Sequence, residues 1–356
     1  MVVRRRPKPL LIFLVLAGSF LILLAAVYMY LASPVDKGNT DTIEVVIPNG
    51  TGISGIAKIL KENDLIRNEF VFLITVKTKN GSYLQASTYQ FSKDMSMEEI
   101  IDALISGNKY NPNAITITFK EGERITDYAD EIADATNHTQ AEVLAMINDR
   151  TYLEELKTKY WFLTDSIFQE GIYYPLEGYL APDTYQFENK DVTVNTIIEK
   201  MLDEMESELE PYRDTISSNV HYYMTMASMV ELEGTNTDNR KMIAGIFENR
   251  LAANMNLGSD VTTYYALQYP MTSDLTTAQF ATANPYNTRA SNMGGKMPIG
   301  PICNPSLSSL EASIEPVDNT YLYFVADKNG NIFYTNTLAE HEAMVQEIKD
   351  KGDWIW

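Results

Sequence analysis

The sequence predicts an α+β chain that begins with a transmembrane helix, and three observations carry that reading. Residues 10–32 run without a charge behind a basic start. Two stretches of alternating β-branched residues, 43–47 and 115–119, each lead into a glycine and then into a helical pattern. Residues 220–230 are apolar almost all round, as in a buried helix, while 321–326 and 332–334 read as strands joined by a hairpin turn at Asp327, Lys328, Asn329 and Gly330.

The elements follow in order. Residues 1–9 form a short tail carrying Arg4, Arg5, Arg6 and Lys8. As a helix at roughly 1.5 Å per residue, residues 10–32 span about 35 Å, enough to cross a bilayer core of about 30 Å. No basic residue follows until Lys37, so the tail is expected in the cytoplasm and everything from Ser33 onward outside. Tyr28 and Tyr30 suit the outer interface. The apolar run is longer than that of a signal peptide, and no Ala-x-Ala site precedes Pro34, which favours an uncleaved signal anchor. Residues 33–42, with Pro34, Gly38 and Asn39, form a polar linker.

A weak internal repeat comes next. Gly50, Ile53 and Ala57 recur at the same offsets as Gly122, Ile125 and Ala129, giving strand, glycine turn and helix twice. Between the two copies, 83–91 has the pattern of a strand and 96–106 that of an amphipathic helix. Ser96 would cap that helix, with Glu99 completing a capping box. Residues 43–118 therefore read as a β-α-α-β module. Residues 119–170 read as a helical, acidic-polar connecting subdomain. Residues 171–356 read as a mixed α+β domain, with a helix ending at Glu233, a second over 238–255, and long Asn/Thr/Tyr-rich loops over 258–305.

Composition narrows the function. A net charge of −20, reached despite the basic tail, argues against nucleic acid or an anionic polymer held by broad charge attraction. Recognition of sugars by Tyr, Asn and Asp is compatible with it. The single cysteine, Cys303, excludes an intrachain disulfide and reads as a small buried residue. His138, His221 and His341 are scattered and lack ligand spacing, so neither a metal nor another cofactor is expected.

The chemistry centres on Glu231 and Glu233, which close the apolar helix before Gly234, a residue suited to stopping it. Burial and the negative end of the helix dipole both disfavour an ionised carboxylate there, and a carboxyl kept neutral can act as a general acid. Two helix-end glutamates reaching solvent is the plain alternative. The pair cannot flank one sugar as the two carboxylates of a hydrolytic glycosidase do. At roughly 100° per residue, positions two apart point about 200° apart unless the helix has ended at Glu231. Periodicity alone does not separate the two.

The segment Ala227-Ser228-Met229-Val230-Glu231-Leu232-Glu233-Gly234 resembles the Ala-Ser-Ile-(Val/Ile)-Glu-Lys-Glu-Thr signature of the MltG/YceG-like endolytic peptidoglycan lytic transglycosylases. The likeness continues in order along the chain: Glu177-Gly178 with Pro182-Asp183-Thr184-Tyr185, Phe247 with Asn249-Arg250-Leu251, Leu257 with Ser259-Asp260 and Thr262, and Tyr286-Asn287-Thr288. It ends with Gly300-Pro301-Ile302 before Asn304, and the strand Tyr321-Leu322-Tyr323-Phe324-Val325. The departures are Gly234 for Thr, Val261 for Pro, Arg289 for Tyr, Ala181 for Phe, and Met297 and Ile299 around the second proline block.

The resemblance implies a membrane-anchored enzyme that cuts glycan strands internally, with Glu233 as its acid and peptidoglycan synthases as partners. It implies that the β-α-α-β module is LysM-like and that residues 171–356 are the catalytic domain. A glycan-binding module and a spacer that binds nothing are both open readings for the module. A single acid suits the chemistry: it protonates the leaving oxygen and then, as a carboxylate, deprotonates the muramyl C6 hydroxyl that closes a 1,6-anhydro ring. For Glu231, substrate orientation stands beside structural anchoring with Arg250. Asp183, Tyr185, Asn249, Ser259, Asp260, Tyr286 and Asn287 match motif positions and can bind sugar hydroxyls and N-acetyl groups, or hold turns and caps. A hydrolytic muramidase and a silent glycan-binding scaffold are the rival readings.

Overall fold

The computed structural model describes residues 9–79, 84–107, 110–111 and 113–354. The cytoplasmic tail expected over residues 1–8 lies outside them. The chain divides into two compact units, Met1–Asn113 and Ala114–Trp356.

The first unit opens with α1 (Pro9–Ala32), a 24-residue helix without a charged side chain. The side chains at 9–12, 14 and 15 are outside the described residues, and among the described residues no helix is long and apolar enough to cross a membrane. Then come β1 (Thr42–Val46), α2 (Ile53–Glu62), α3 (Glu69–Thr78), β2 (Thr88–Ser92) and α4 (Met97–Ser106). β1 and β2 pair antiparallel, with Ile43 opposite Phe91 and Val45 opposite Tyr89. Val45, Tyr89 and Phe91 enter a core with Ile56, Leu60 and Phe72 from the helices. The capping box read from the sequence is present on α4: Ser96 accepts from Glu99 N and Glu99 reaches back to Ser96 N at 2.7 Å. The strand expected over 83–91 occupies Thr88–Ser92, and Tyr83 lies outside the described residues.

The second unit starts at β3 (Ile115–Thr118), which pairs not within the preceding module but with β4 (Thr184–Phe187). The division after Asn113 follows from that pairing. Between these strands lie α5 (Ile125–Ala135), α6 (Gln140–Ile147) and α7 (Arg150–Lys159). After β4 come α8 (Val194–Leu209), a short α9 (Arg213–Ile216), α10 (Val220–Glu233) and α11 (Thr237–Ala252). The loop-rich stretch holds α12 (Asp260–Ala266), α13 (Thr277–Phe280) and α14 (Leu307–Ile314). The chain closes with β5 (Tyr323–Ala326), β6 (Ile332–Thr335) and α15 (Leu338–Asp350). The turn at Asp327–Gly330 joins β5 and β6 as expected, Gly330 N donating to Asp327 O with Gly330 at φ +80°. One core runs continuously from β3 through α8 to the start of α10, so the elements of 119–170 share it with those after 171. A second core surrounds the end of α10 with α11, α12 and the loops at 286 and 302.

The internal repeat extends further than its turns. Shifted onto each other, the two strand pairs have the same register: Ile43–Phe91 corresponds to Ile115–Phe187, and Val45–Tyr89 to Ile117–Tyr185. Both closing strands read Thr-Tyr-Gln-Phe. In both, the tyrosine hydroxyl donates to the carbonyl four residues back, Tyr89 to Gln85 at 2.7 Å and Tyr185 to Ala181 at 2.8 Å. Both turn glycines are left-handed, Gly50 at φ +81° and Gly122 at +77°. The second unit thus begins with the same strand-turn-helix plan as the first, enlarged by α7 and the loop after it.

Candidate active site

Helix α10 is buried from Met224 to Val230 because its residues there leave no polar stripe. It runs through both glutamates and ends at Glu233, so the roughly 200° between them is realised. Gly234 caps the helix with extended backbone (φ −96°, ψ 132°), not the left-handed turn expected of a C-terminal glycine. Its need for glycine is steric: a Cβ there would stand 2.5 Å from Arg240 Cγ and 3.1 Å from Arg240 Cα. The threonine of the signature would collide with the first turns of α11.

The two carboxylates meet different surroundings. Glu231 has a side chain only 6% exposed. Its Oε1 accepts from Arg240 Nη2 at 2.7 Å, and its Oε2 accepts from Ser306 N at 2.9 Å and Ser306 Oγ at 2.5 Å. Its cation is Arg240; Arg250, the partner expected from the sequence, instead donates to the carbonyls of Leu322 and Leu257. That difference has a simple cause, since Arg240 sits on the first turns of α11, just past the tight Gly234 link.

Glu233 faces the other way. Its Oε1 accepts from Ser259 Oγ at 2.6 Å. Burial pushes its carboxyl above the ordinary value, and the nearby Asp260 carboxylate adds to the rise. The Ser259 hydrogen bond, Arg250 and Arg289 oppose it without cancelling it. Asp260 is paired with Arg289 Nε, the two side chains about half exposed. Arg289, a departure from the signature, therefore has a definite place as the counter-ion of Asp260, and its guanidinium lies 5.3 Å from the centre of the Phe280 ring.

Ser259 is held by a small lattice of hydroxyls. Ser259 N donates to Thr288 Oγ1 at 3.0 Å, and Thr262 Oγ1 donates to Ser259 O at 2.6 Å. Asn287, wholly buried, accepts from Thr263 Oγ1 and donates to the carbonyls of Phe280 and Thr282. Tyr286 is buried too, its hydroxyl accepting from Tyr173 N and its ring 4.8 Å from that of Tyr265. These two side chains shape the loop that carries Thr288 and Arg289, and neither is exposed for a sugar to touch.

Of the residues read from the sequence, Glu233, Ser259 and Asp260 come together. Asn249 does not join them through its amide, which donates to Asn319 and to Tyr321 O and so ties α11 to the approach of β5. Tyr185 is buried on β4 against Phe119. Asp183 is exposed at the start of β4 and lines a shallow depression of about 560 Å³ with Lys200, Asp203 and Glu204.

One residue stood out only in the structure. Glu177, from the Glu-Gly motif, is 1% exposed, and burial pushes its carboxyl up to about 8. It accepts from Ile125 N and Tyr265 Oη, each at 2.9 Å. A glutamate inside an otherwise apolar and small-residue motif is the signal that could have marked it.

A family model, the YceG-like family, matches residues 45–347. This chain belongs to that family. It is 38% identical to the endolytic murein transglycosylase of Bacillus subtilis (strain 168), over 91% of this chain and 89% of that protein. It is 33% identical to the endolytic murein transglycosylase of Streptococcus pneumoniae serotype 2, over 92% of this chain and 64% of that longer protein. The 2.6 Å crystal structure of a yceG-like protein from Listeria monocytogenes aligns with a TM-score of 0.61 at 34% identity, covering 85% of this chain and 99% of that one. Within the YceG-like frame, Glu233 occupies the second glutamate of the signature, and the geometry gives that position the raised carboxyl.

Proposed function

We propose that this YceG-like chain is a membrane-anchored endolytic transglycosylase of peptidoglycan, with Glu233 as its single acid and base. The carrying observation is the contrast at the end of α10. Glu231 is consumed by Arg240 and Ser306, whereas Glu233 is held by one hydroxyl and its carboxyl is pushed above the ordinary value by burial. The neutral carboxyl gives its proton to the leaving oxygen of the muramyl bond. As a carboxylate it then takes the proton of the muramyl C6 hydroxyl, which attacks C1 and closes the 1,6-anhydro ring. Ser259 orients Glu233 and stabilises the carboxylate stage. Asp260, its charge held by Arg289, supplies negative potential for the oxocarbenium-like transition state. Internal cleavage of new strands would limit their length, in partnership with the synthases that make them.

The names of the relatives support the reaction, and the uncharged 10–32 stretch behind a basic tail supports the anchor. So do the exposed side chains of Phe13, Leu16, Phe20, Leu21, Ile22 and Leu23 on α1, which suit lipid and not water. The β-α-α-β plan of the first unit supports a LysM-like role in holding glycan. One observation favours a second reading: Asp260 is a carboxylate near Glu233, and as a general base it would make the enzyme hydrolytic. Mass spectrometry of glycan strands treated with the protein tests the reaction. Anhydromuramyl ends from the wild type and none from Glu233→Gln are expected; reducing ends would favour hydrolysis.

A further inference from the structure

Arg289 stands where the signature carries a tyrosine, and it brings a half-exposed cation to the neighbourhood of Glu233 in an acidic chain. It is close enough to the Glu233 carboxyl to oppose its rise. The other cation that does so, Arg250, is part-buried and engaged by carbonyls, its Nε donating to Leu322 O and its Nη1 to Leu257 O. Arg289 is differently placed. Its Nε donates to Asp260, and among the described residues neither terminal amino group of its guanidinium has a hydrogen-bond partner.

The guanidinium is also held in place. It lies over the Phe280 ring, 5.3 Å from its centre, and that ring meets Tyr264 edge-on with centroids 6.2 Å apart. The buried Asn287 fixes both partners: its Oδ1 accepts from Arg289 N at 3.0 Å, and its Nδ2 donates to Phe280 O at 2.9 Å. Neutralising Asp260 takes one edge of the guanidinium and leaves the terminal fork unused. An arginine held by its Nε and one face, with that fork open, is pre-organised for a planar carboxylate, which accepts two parallel N–H bonds.

The substrate carries such groups close to the bond that breaks. In the muramyl sugar the acid hangs from C3, two ring carbons from the reacting C1, either as the bare lactyl carboxylate or as the carboxylates of a peptide built on it. We infer that Arg289 is a specificity-determining residue that takes a carboxylate of the muramyl side chain, so that this chain favours strands with free carboxylates over the same strands amidated. The inference rests on the reading of Glu233 as the acid. A net charge of −20 repels acidic strands at long range, so their selection falls to a directed cation at the site.

The test measures binding and cleavage separately, using the full chain and fluorescent synthetic glycan strands in two matched pairs. One pair bears bare lactyl groups, as acid or as amide; the other bears peptide stems whose carboxylates are free or amidated. Binding is read by anisotropy on Glu233→Gln, whose side chain keeps its shape but cannot give a proton. Expected is tighter binding of the acid strand, by roughly five- to tenfold in at least one pair, and equal binding in both pairs once Arg289→Tyr is added. The pair that shows the difference tells the lactyl group from the stem. Equal binding of acid and amide by Glu233→Gln, no binding of any strand, or a preference that survives Arg289→Tyr would each overturn the inference. Cleavage by the wild type alongside such a result leaves Glu233 standing as the acid. A binding preference without cleavage by the wild type would support the carboxylate contact and count against the reaction.

Discussion

The two strand-turn-helix copies share register, turn and tyrosine bond, yet their glycine turns meet opposite fates. At Gly50 an added Cβ would meet nothing within 4 Å, and Gly52, which precedes α2, offers it no side-chain cap. At Gly122 an added Cβ would touch Leu232 and Glu231 at the end of α10, and Gly122 N donates to Asn304 O at 2.8 Å. The helix that follows, α5, has its first N–H taken by the buried Glu177. The same local code therefore yields an open turn in one unit and a brace for the end of α10 in the other. If the first unit holds glycan as proposed, the free turn is where the backbone is available for it; the second copy has spent its turn on the end of α10.

That contrast can be broken or sharpened by substitution. The largest effect is expected from Glu177, which belongs to the second copy alone. In the folded chain it keeps its proton between the ordinary value of 4.5 and about 8, whereas the unfolded chain has lost it. The folded state binds more protons in that window, so stability falls as pH rises through it, by a few kcal/mol in order of magnitude. Glu177→Gln should flatten that fall in denaturant titrations taken at a series of pH values; an unchanged slope would mean that another group titrates. Next, Glu231→Gln leaves the part-buried Arg240 without its anion and should cost up to about 3 kcal/mol. A melt equal to the wild type would show that the brace is not needed.

The glycines give a direct pairwise test. Gly50→Ala and Gly122→Ala both place a Cβ at positive φ and should each cost about 1–2 kcal/mol. Only the second should lower cleavage, since only that turn bears on α10. Equal loss of activity from both would end the distinction. The smallest effects concern the rate profile. With Glu233 as the proposed acid, activity is expected to be lost as pH rises through its raised value. Ser259→Ala removes a donor that favours the carboxylate and should move that limb to higher pH, whereas Asp260→Asn removes a repelling charge and should move it lower. The two profiles moving together would contradict the electrostatic account.

Much of this was legible in the chain because it rests on local codes. The glycine turns, the Ser96 capping box, the apolar α10 and the Asp327–Gly330 hairpin all follow from neighbours in sequence. The 200° rule separated Glu231 from Glu233 in direction, though not in role. The closing half of the repeat was equally visible in Thr-Tyr-Gln-Phe, but α7 and its loop lengthen the second copy and hide it from a fixed-offset comparison. What the sequence withheld are contacts between distant segments. Arg240 rather than Arg250 meets Glu231 because Gly234 lets α11 turn back closely. Tyr286 and Asn287 match motif positions yet are buried supports, and Arg289 acquires its role only by meeting Asp260 at the start of α12.

The central claim is that one carboxyl closes an intramolecular ring without water. Cleavage of glycan strands in water enriched in oxygen-18 tests it most directly, with the new muramyl ends weighed by mass spectrometry. The account predicts anhydro ends carrying no heavy oxygen. Reducing ends labelled at C1 would contradict it and give Asp260 the part of a base.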